Sequence, residues 1–271
     1  MVYNPKEITE EVNVTAVHPL VDLAYLLATV VVFSVLVYLG LGVIATKLVT
    51  HISPELEAKI GKQLLSTVPN IASKTNPQQQ QYLESLLTDL QTTNLNRPSP
   101  SIHIVKDKYA NAVIIPGGHI IVTTALLTEA ESENELAFVL AHELGHHVAK
   151  DPLKGLGRSL VGITMATVLG IGSGNADIVT LTGSLTDLHY SRRQETAADV
   201  YALSAIVRKY GHGDASLDFF QRILAKNRDR RGKLSAYFST HPLTQARIDY
   251  LYRVASKKGW RMSGETTDLP K

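Results

Sequence analysis

A chain of 271 residues that is 44% hydrophobic can bury a substantial core, which excludes global disorder and fits one large domain with or without an appendage. Its formal charge of +2 is too small and too evenly spread for a nucleic-acid binder. With no cysteine, disulfide and thiolate chemistry are excluded, so any bound metal must be held by nitrogen and oxygen.

Residues 1–22 form a leader that carries Glu7, Glu10 and Glu11 but one lysine, Lys6. The run from Leu23 to Thr46 contains no charge, and at about 1.5 Å per residue it is long enough to cross a bilayer core. A cleaved signal peptide would have a basic leader and a shorter apolar stretch. Residues 23–46 are therefore expected to be a retained transmembrane helix, with the lipid bilayer as a partner. Lys47, Lys59 and Lys62 follow this helix while Lys6 precedes it. That asymmetry predicts a single-pass protein with its large C-terminal part in the cytoplasm, the periplasm or a lumen being the alternative.

Ser53-Pro54 and Asn76-Pro77 each place a capping residue before a proline suited to the first helical turn. They predict two helices, the second with Leu83, Leu86, Leu87 and Leu90 on one face. Three β-branched runs follow, "SIHIV" (101–105), "NAVII" (111–115) and "HIIVT" (119–123), the last two joined as a hairpin by Pro116-Gly117-Gly118. Ser132 and Glu135 form a capping box for a helix from near Glu133 to about Lys150, ahead of Asp151-Pro152. The apolar stretch from Leu160 to Gly174 is short for a span. A helix buried in the domain or touching the bilayer surface is expected there, a re-entrant segment being the alternative. "KNRDRRGK" (226–233) reads as a solvated loop, or as a contact for anionic headgroups.

The chemistry lies on the helix after Ser132. His142 and His146 are four apart, so both imidazoles leave one face a turn apart and can share one ion. H-E-x-x-H is the spacing in which two histidines bind zinc and the glutamate between them, here Glu143, is the general base toward the attacking water. The bland alternative is a pair of satisfied buried histidines. A catalytic zinc wants three protein ligands and an open position. Glu195 and Asp199, again four apart, lie in an Ala-rich stretch where uncompensated carboxylates are costly. Glu195 is the natural third ligand, and Asp199 can accept the free ring N–H of a zinc histidine and fix its tautomer. The competing reading pairs both carboxylates with Arg192 and Arg193. His147, about 100° around the helix from His146, is expected to face away.

"HELGH" (142–146), "SRRQETAAD" (191–199) and "STHP" (239–242), preceded by "NAVIIPGGHIIVTTALL" and "SENELAFVLAHELGHH", resemble the M48 family of membrane-associated zinc metallopeptidases over about Asn76 to Arg253. The resemblance implies an α+β, zincin-like, mainly helical metalloprotease domain with a small β-hairpin or sheet, here residues 53–258 between the transmembrane helix and a tail at 259–271. It implies one Zn2+ per chain on His142, His146 and Glu195, with Glu143 catalytic and Asp199 supporting the ligands. His241, in the turn that the family shares, is the candidate second electrophile for the oxyanion or a residue that blocks the metal's open position, against a plain helix-entry role. In the resembling enzymes an edge strand pairs with an extended peptide, which would give the strand near His119–Thr123 that task; His119 itself is a candidate lining residue. The family's prenyl endopeptidases carry several membrane spans and this chain shows one, which argues against CAAX processing. The expected function is a membrane-anchored zinc endopeptidase acting on protein or peptide substrates, such as unfolded or damaged membrane-associated proteins. A catalytically quiet chaperone or adaptor is the alternative, and a structural membrane protein with an incidental motif a third.

Overall fold

The structure, a computed structural model, describes residues 18–69, 71, 76–91, 97–168, 170, 190–229 and 241–270. It is mainly helical with one three-stranded sheet, the architecture expected from the sequence. Helix α1 (Pro19–Leu48) starts ahead of the uncharged run because His18 caps it, accepting the Leu20 N–H at 3.3 Å, with Pro19 in the first turn. It is long and apolar enough to cross a membrane, and none of its residues is buried. A 3-10 turn (Val49–His51) leads into α2 (Pro54–Leu65), and α3 (Pro77–Leu90) follows; Ser53 and Asn76 cap them as expected. The four leucines of α3 are buried in the main core.

Strands β1 (Ser101–Val105), β2 (Ala112–Ile115) and β3 (His119–Thr123) stand in the order β1-β3-β2. The β2–β3 hairpin is present, and its turn needs glycine: Gly117 and Gly118 have φ of +86° and +82°. β1 pairs in parallel with β3, Ser101 lying opposite His119. This overturns one expectation. β3 is paired on both sides and cannot be an edge strand; the edge beside the site belongs to β2. The reason is topological: β1 reaches the far side of β3 by a parallel pairing, and chain order alone does not reveal it. Ile102, Ile104, Ile114, Ile120 and Val122 face the main core, while Val105, Val113, Ile115 and Ile121 face Leu64 of α2 and Leu156.

After the short α4 (Thr124–Glu129) come α5 (Glu133–Val148) and α6 (Asp151–Val168), then α7 (Arg192–Tyr210), α8 (Asp218–Asp229) and α9 (Gln245–Lys258). Ser132 caps α5 by accepting the Glu135 N–H, but the capping box is half made. The Glu135 carboxylate accepts from Glu131 N–H and pairs with Arg222 instead of reaching back to Ser132. α5 ends at Val148, Lys150 turns the chain with φ of +57°, and Asp151-Pro152 opens α6 rather than merely stopping a helix. Of the 160–174 stretch, Leu160–Val168 is the second half of α6; residues 169 and 171–174, like residues 230–233 of "KNRDRRGK", lie outside the described residues.

α5 is buried along nearly its whole length and lies against α7. The approach is close because Gly145 faces Ala198: a Cβ on Gly145 would sit 2.8 Å from the Ala198 Cα. Gly145→Ala must push the two helices apart and is expected to destabilise the fold by about 1–3 kcal/mol. Urea unfolding reads the loss, and unchanged stability would mean that α7 can shift at no cost.

Candidate metal centre

The tight α5–α7 contact fixes what the two helices present to each other. α5 brings His142, Glu143 and His146, and α7, held at its start by a full capping box between Ser191 and Gln194, brings Glu195 and Asp199. Between the two histidines, Leu144 packs into the main core and Gly145 is the point of contact with α7. His241, just ahead of α9, enters from the side.

The Nε2 atoms of His142 and His146 are 3.1 Å apart. Glu195 Oε2 lies 3.6 Å from the first and Oε1 3.4 Å from the second. His241 Nδ1 is 3.2 Å from His142 Nε2 and 3.1 Å from Glu195 Oε1. All four residues are buried, and one ligand atom from each lies within 4.8 Å of the others.

The outer contacts determine what this cluster attracts. His142 Nδ1 lies 3.0 Å from Asp199 Oδ1, and His146 Nδ1 lies 3.1 Å from Asp151 Oδ2. Carboxylates are acceptors only, so each holds the ring proton on Nδ1 and leaves the Nε2 lone pair facing inward. Two such lone pairs and a carboxylate converging on one point repel unless a cation lies among them. Nitrogen ligands at about 2.0–2.1 Å on a tetrahedral zinc stand roughly 3.3 Å apart, so the donor set and its spacing fit zinc. Without a cation the same field favours a proton on that Nε2 instead: burial lowers the His142 pKa, but the hydrogen bonds to Asp199 and Glu195 more than reverse this and push it up to about 9, so a metal would bind in place of that proton. Burial likewise works against the charge of Glu195, and the three histidines around it overcome this and hold it far below the usual carboxylate range.

Glu143 stands beside the cluster, fully buried. Its Oε2 accepts the Ile114 N–H of β2 at 3.0 Å, and its Oε1 is 3.4 Å from His241 Nε2. Burial raises its pKa, the neighbouring His241 and His142 opposing. That is the direction a carboxylate needs to exchange a proton near neutral pH.

Arg247 of α9 is the partner of the two α7 carboxylates. Its Nε and one terminal nitrogen grip Asp199 at 2.8 and 2.7 Å, and the other terminal nitrogen lies 2.8 Å from Glu195 Oε2. Arg192 and Arg193 are exposed, so the reading that paired them with these carboxylates is set aside. Asp199 is pulled below its ordinary pKa: burial would raise it, and its bonds to His142 and Arg247 prevail. Three further participants carried no spacing signal: Arg247, Asp151 and Tyr190. The Tyr190 ring stacks on His146 with centroids 4.0 Å apart, and its buried hydroxyl has no hydrogen-bond partner among the described residues. His147 faces away as expected, with Nε2 3.0 Å from the Pro98 carbonyl, and burial together with the charge of Arg97 lowers its pKa to about 4. His119 contacts Ser101 and His103 on the sheet and is not part of the cluster.

The model of Peptidase family M48 matches residues 77–255, which include every one of the residues just described. The chain belongs to peptidase family M48. Similar proteins include mitochondrial metalloendopeptidase OMA1 of Saccharomyces cerevisiae, 32% identical over 157 residues, or 55% of this chain and 45% of that protein. OMA1 of Arabidopsis thaliana is 29% identical over 165 residues, 59% of this chain and 32% of its own. The beta-barrel assembly-enhancing protease of Escherichia coli (strain K12) is 25% identical over 201 residues, covering 69% of this chain and 40% of the enzyme. This M48 chain thus spans less than half the length of each of these relatives.

Proposed function

We propose that this M48 chain is a membrane-anchored zinc endopeptidase, with His142, His146 and Glu195 as the metal ligands, Glu143 as the general base and Asp199 as the support of His142. The observation that carries the reading is the convergence of two Nε2 atoms and one carboxylate on a single buried point, beside a carboxylate whose pKa is raised. Zinc held there would supply a Lewis acid that acidifies water and polarises the scissile carbonyl. Glu143 takes the proton of the attacking water on Oε1 and returns it to the leaving amine, while the Ile114 N–H keeps the carboxylate aimed. Asp199 and Asp151 keep the two imidazoles in the ligating tautomer, and Arg247 keeps Asp199 and Glu195 ionised in a buried setting.

An extended peptide laid along the edge of β2 would cross this cluster, because the same strand touches the base through Ile114. Main-chain pairing of that kind makes little demand on sequence and suits unfolded or damaged membrane-associated proteins. The apolar, unburied α1 supports the anchor. Alanine at His142, His146 or Glu195 is expected to strip most of the zinc from purified protein, as measured by metal analysis, and chelators to silence the wild type. Full zinc occupancy in Glu195→Ala would overturn the ligand set.

His241 holds its Nδ1 against Glu195 and its Nε2 toward Glu143, so it is closer to the ligand cluster than a helix-entry residue needs to be. If it donates to the oxyanion, His241→Ala lowers kcat about 10²- to 10³-fold with little change in KM. If it occupies the metal's open position at rest, the same change raises basal activity. Wild-type kinetics with unchanged zinc content would return it to the role of a helix-entry residue.

A further inference from the structure

Helix α6 leaves the metal centre and runs back along α1. Gly157 faces Val49 and Ala45, with 3.4 and 3.5 Å between a Cβ built on the glycine and their side chains, and Gly162 faces Tyr38 at 3.8 Å. Later residues of α6 therefore meet earlier residues of α1, so the two helices are antiparallel and α6 travels beside the apolar helix.

The composition of α6 changes along that path. Its first half carries Asp151, Lys154 and Arg158, and from Leu160 to Val168 it carries no charge. Leu160 is 43% and Val168 76% exposed, on a helix that runs beside the unburied α1. The contacts at Gly157 put Arg158 near the level of Ala45, with Lys47 of α1 about half a turn and Lys154 of α6 about one turn toward the domain. Three cations thus form a belt where both helices turn apolar: Lys47 is exposed, Arg158 half-buried, and Lys154 half-buried with its ammonium 3.1 Å from Asp151 Oδ1. Below that belt the nine residues Leu160–Val168 extend about 13 Å, close to half of a bilayer core.

Resting on the reading of α1 as a membrane anchor, we infer that Leu160–Val168 is immersed in lipid against α1, with Lys47, Lys154 and Arg158 at the headgroups, so that the metal centre stands close above the bilayer surface. Lipid is the occupant that the charge pattern selects: acyl chains cover the uncharged flank and phosphates meet the belt. Asp151, which holds the ligand His146, is seven residues above Arg158, or roughly 10 Å along the helix axis. A substrate therefore presents peptide bonds from its juxtamembrane stretch, within a few residues of where its own chain leaves the membrane.

The chain has no cysteine, so single cysteines at Leu36, Leu160, Val168 and, as an aqueous control, Tyr250 can each carry a fluorophore in the full-length protein in vesicles containing anionic lipid. All four positions are exposed, and zinc content reports that each variant folds. Labels at Leu36, Leu160 and Val168 are expected to lose emission to nitroxide-bearing lipids and to resist iodide, the shallow nitroxide acting more strongly on Leu160 than on Val168. Tyr250 should show the reverse. Quenching of Leu36 by lipid, with Leu160 and Val168 open to iodide, would overturn the immersion of α6 and leave the anchor standing. Failure of lipid to quench Leu36 would sink the anchor itself. Labels at Leu160 and Val168 shielded from both quenchers would mean that protein, such as a second copy, covers this flank, and would equally overturn the inference.

Discussion

Glu143→Gln is expected to keep the fold and its zinc while lowering kcat by about 10² to 10⁴, the usual worth of a positioned proton carrier. The carboxylate is fully buried, and one oxygen accepts the Ile114 N–H at 3.0 Å. An amide oxygen can accept the same bond, so the side chain stays in place and β2 stays docked on α5. What the amide cannot do is take a proton from water at Oε1. The pH profile distinguishes this role from a structural one. Burial places the pKa of Glu143 above the ordinary carboxylate value, so the wild-type rate should fall as pH drops through that raised pKa and the base becomes protonated. The residual rate of the variant should lack that acidic limb. Kinetics on an unfolded protein substrate, with zinc measured on the same samples, tests both points. Substantial proteolysis by zinc-loaded Glu143→Gln would place the base on another residue.

The parts of the centre that sequence made legible are those set by one helical turn. His142 with His146 and Glu195 with Asp199 are i,i+4 pairs, and each pair arrives on one face because the helix requires it. The charges that stabilise these pairs come from elsewhere in the chain. Arg247 lies on a helix beyond His241, and only the tertiary packing of α9 against α7 brings its guanidinium to the two carboxylates. Asp151 resembled a helix stop, because Asp-Pro closes one helix and opens another with the same residues; its bond to His146 depends on the left-handed turn at Lys150. The sheet follows the same division. Three strands and a hairpin were readable from β-branched runs and a Pro-Gly-Gly turn, but the position of β3 between the other two depends on a parallel pairing that no local pattern encodes.

Arg247 is the residue whose loss should cost the fold most. It ties α9 to α7 through Asp199 and Glu195, both almost fully buried, and also bonds the Pro242 carbonyl beside His241. Arg247→Ala leaves two carboxylates in the interior without their cation, and removal of one partner from such a buried set costs about 3–5 kcal/mol. Zinc held by Glu195 would neutralise part of that charge, so the loss should be larger in metal-free than in zinc-loaded protein. Arg247→Lys restores the charge but not the two-pronged grip on Asp199, and should recover only part of the stability. Acid dependence follows from the same contacts. Asp199 is depressed below its ordinary value, so its contribution is complete above the unfolded pKa of about 3.9 and is lost as pH falls through the lower folded pKa. Without Arg247 the depression shrinks, and acid unfolding should begin at higher pH. Urea unfolding of both variants with and without zinc across this pH range checks all four expectations, and wild-type stability in zinc-free Arg247→Ala would show that water or another cation satisfies the carboxylates as well as Arg247 does.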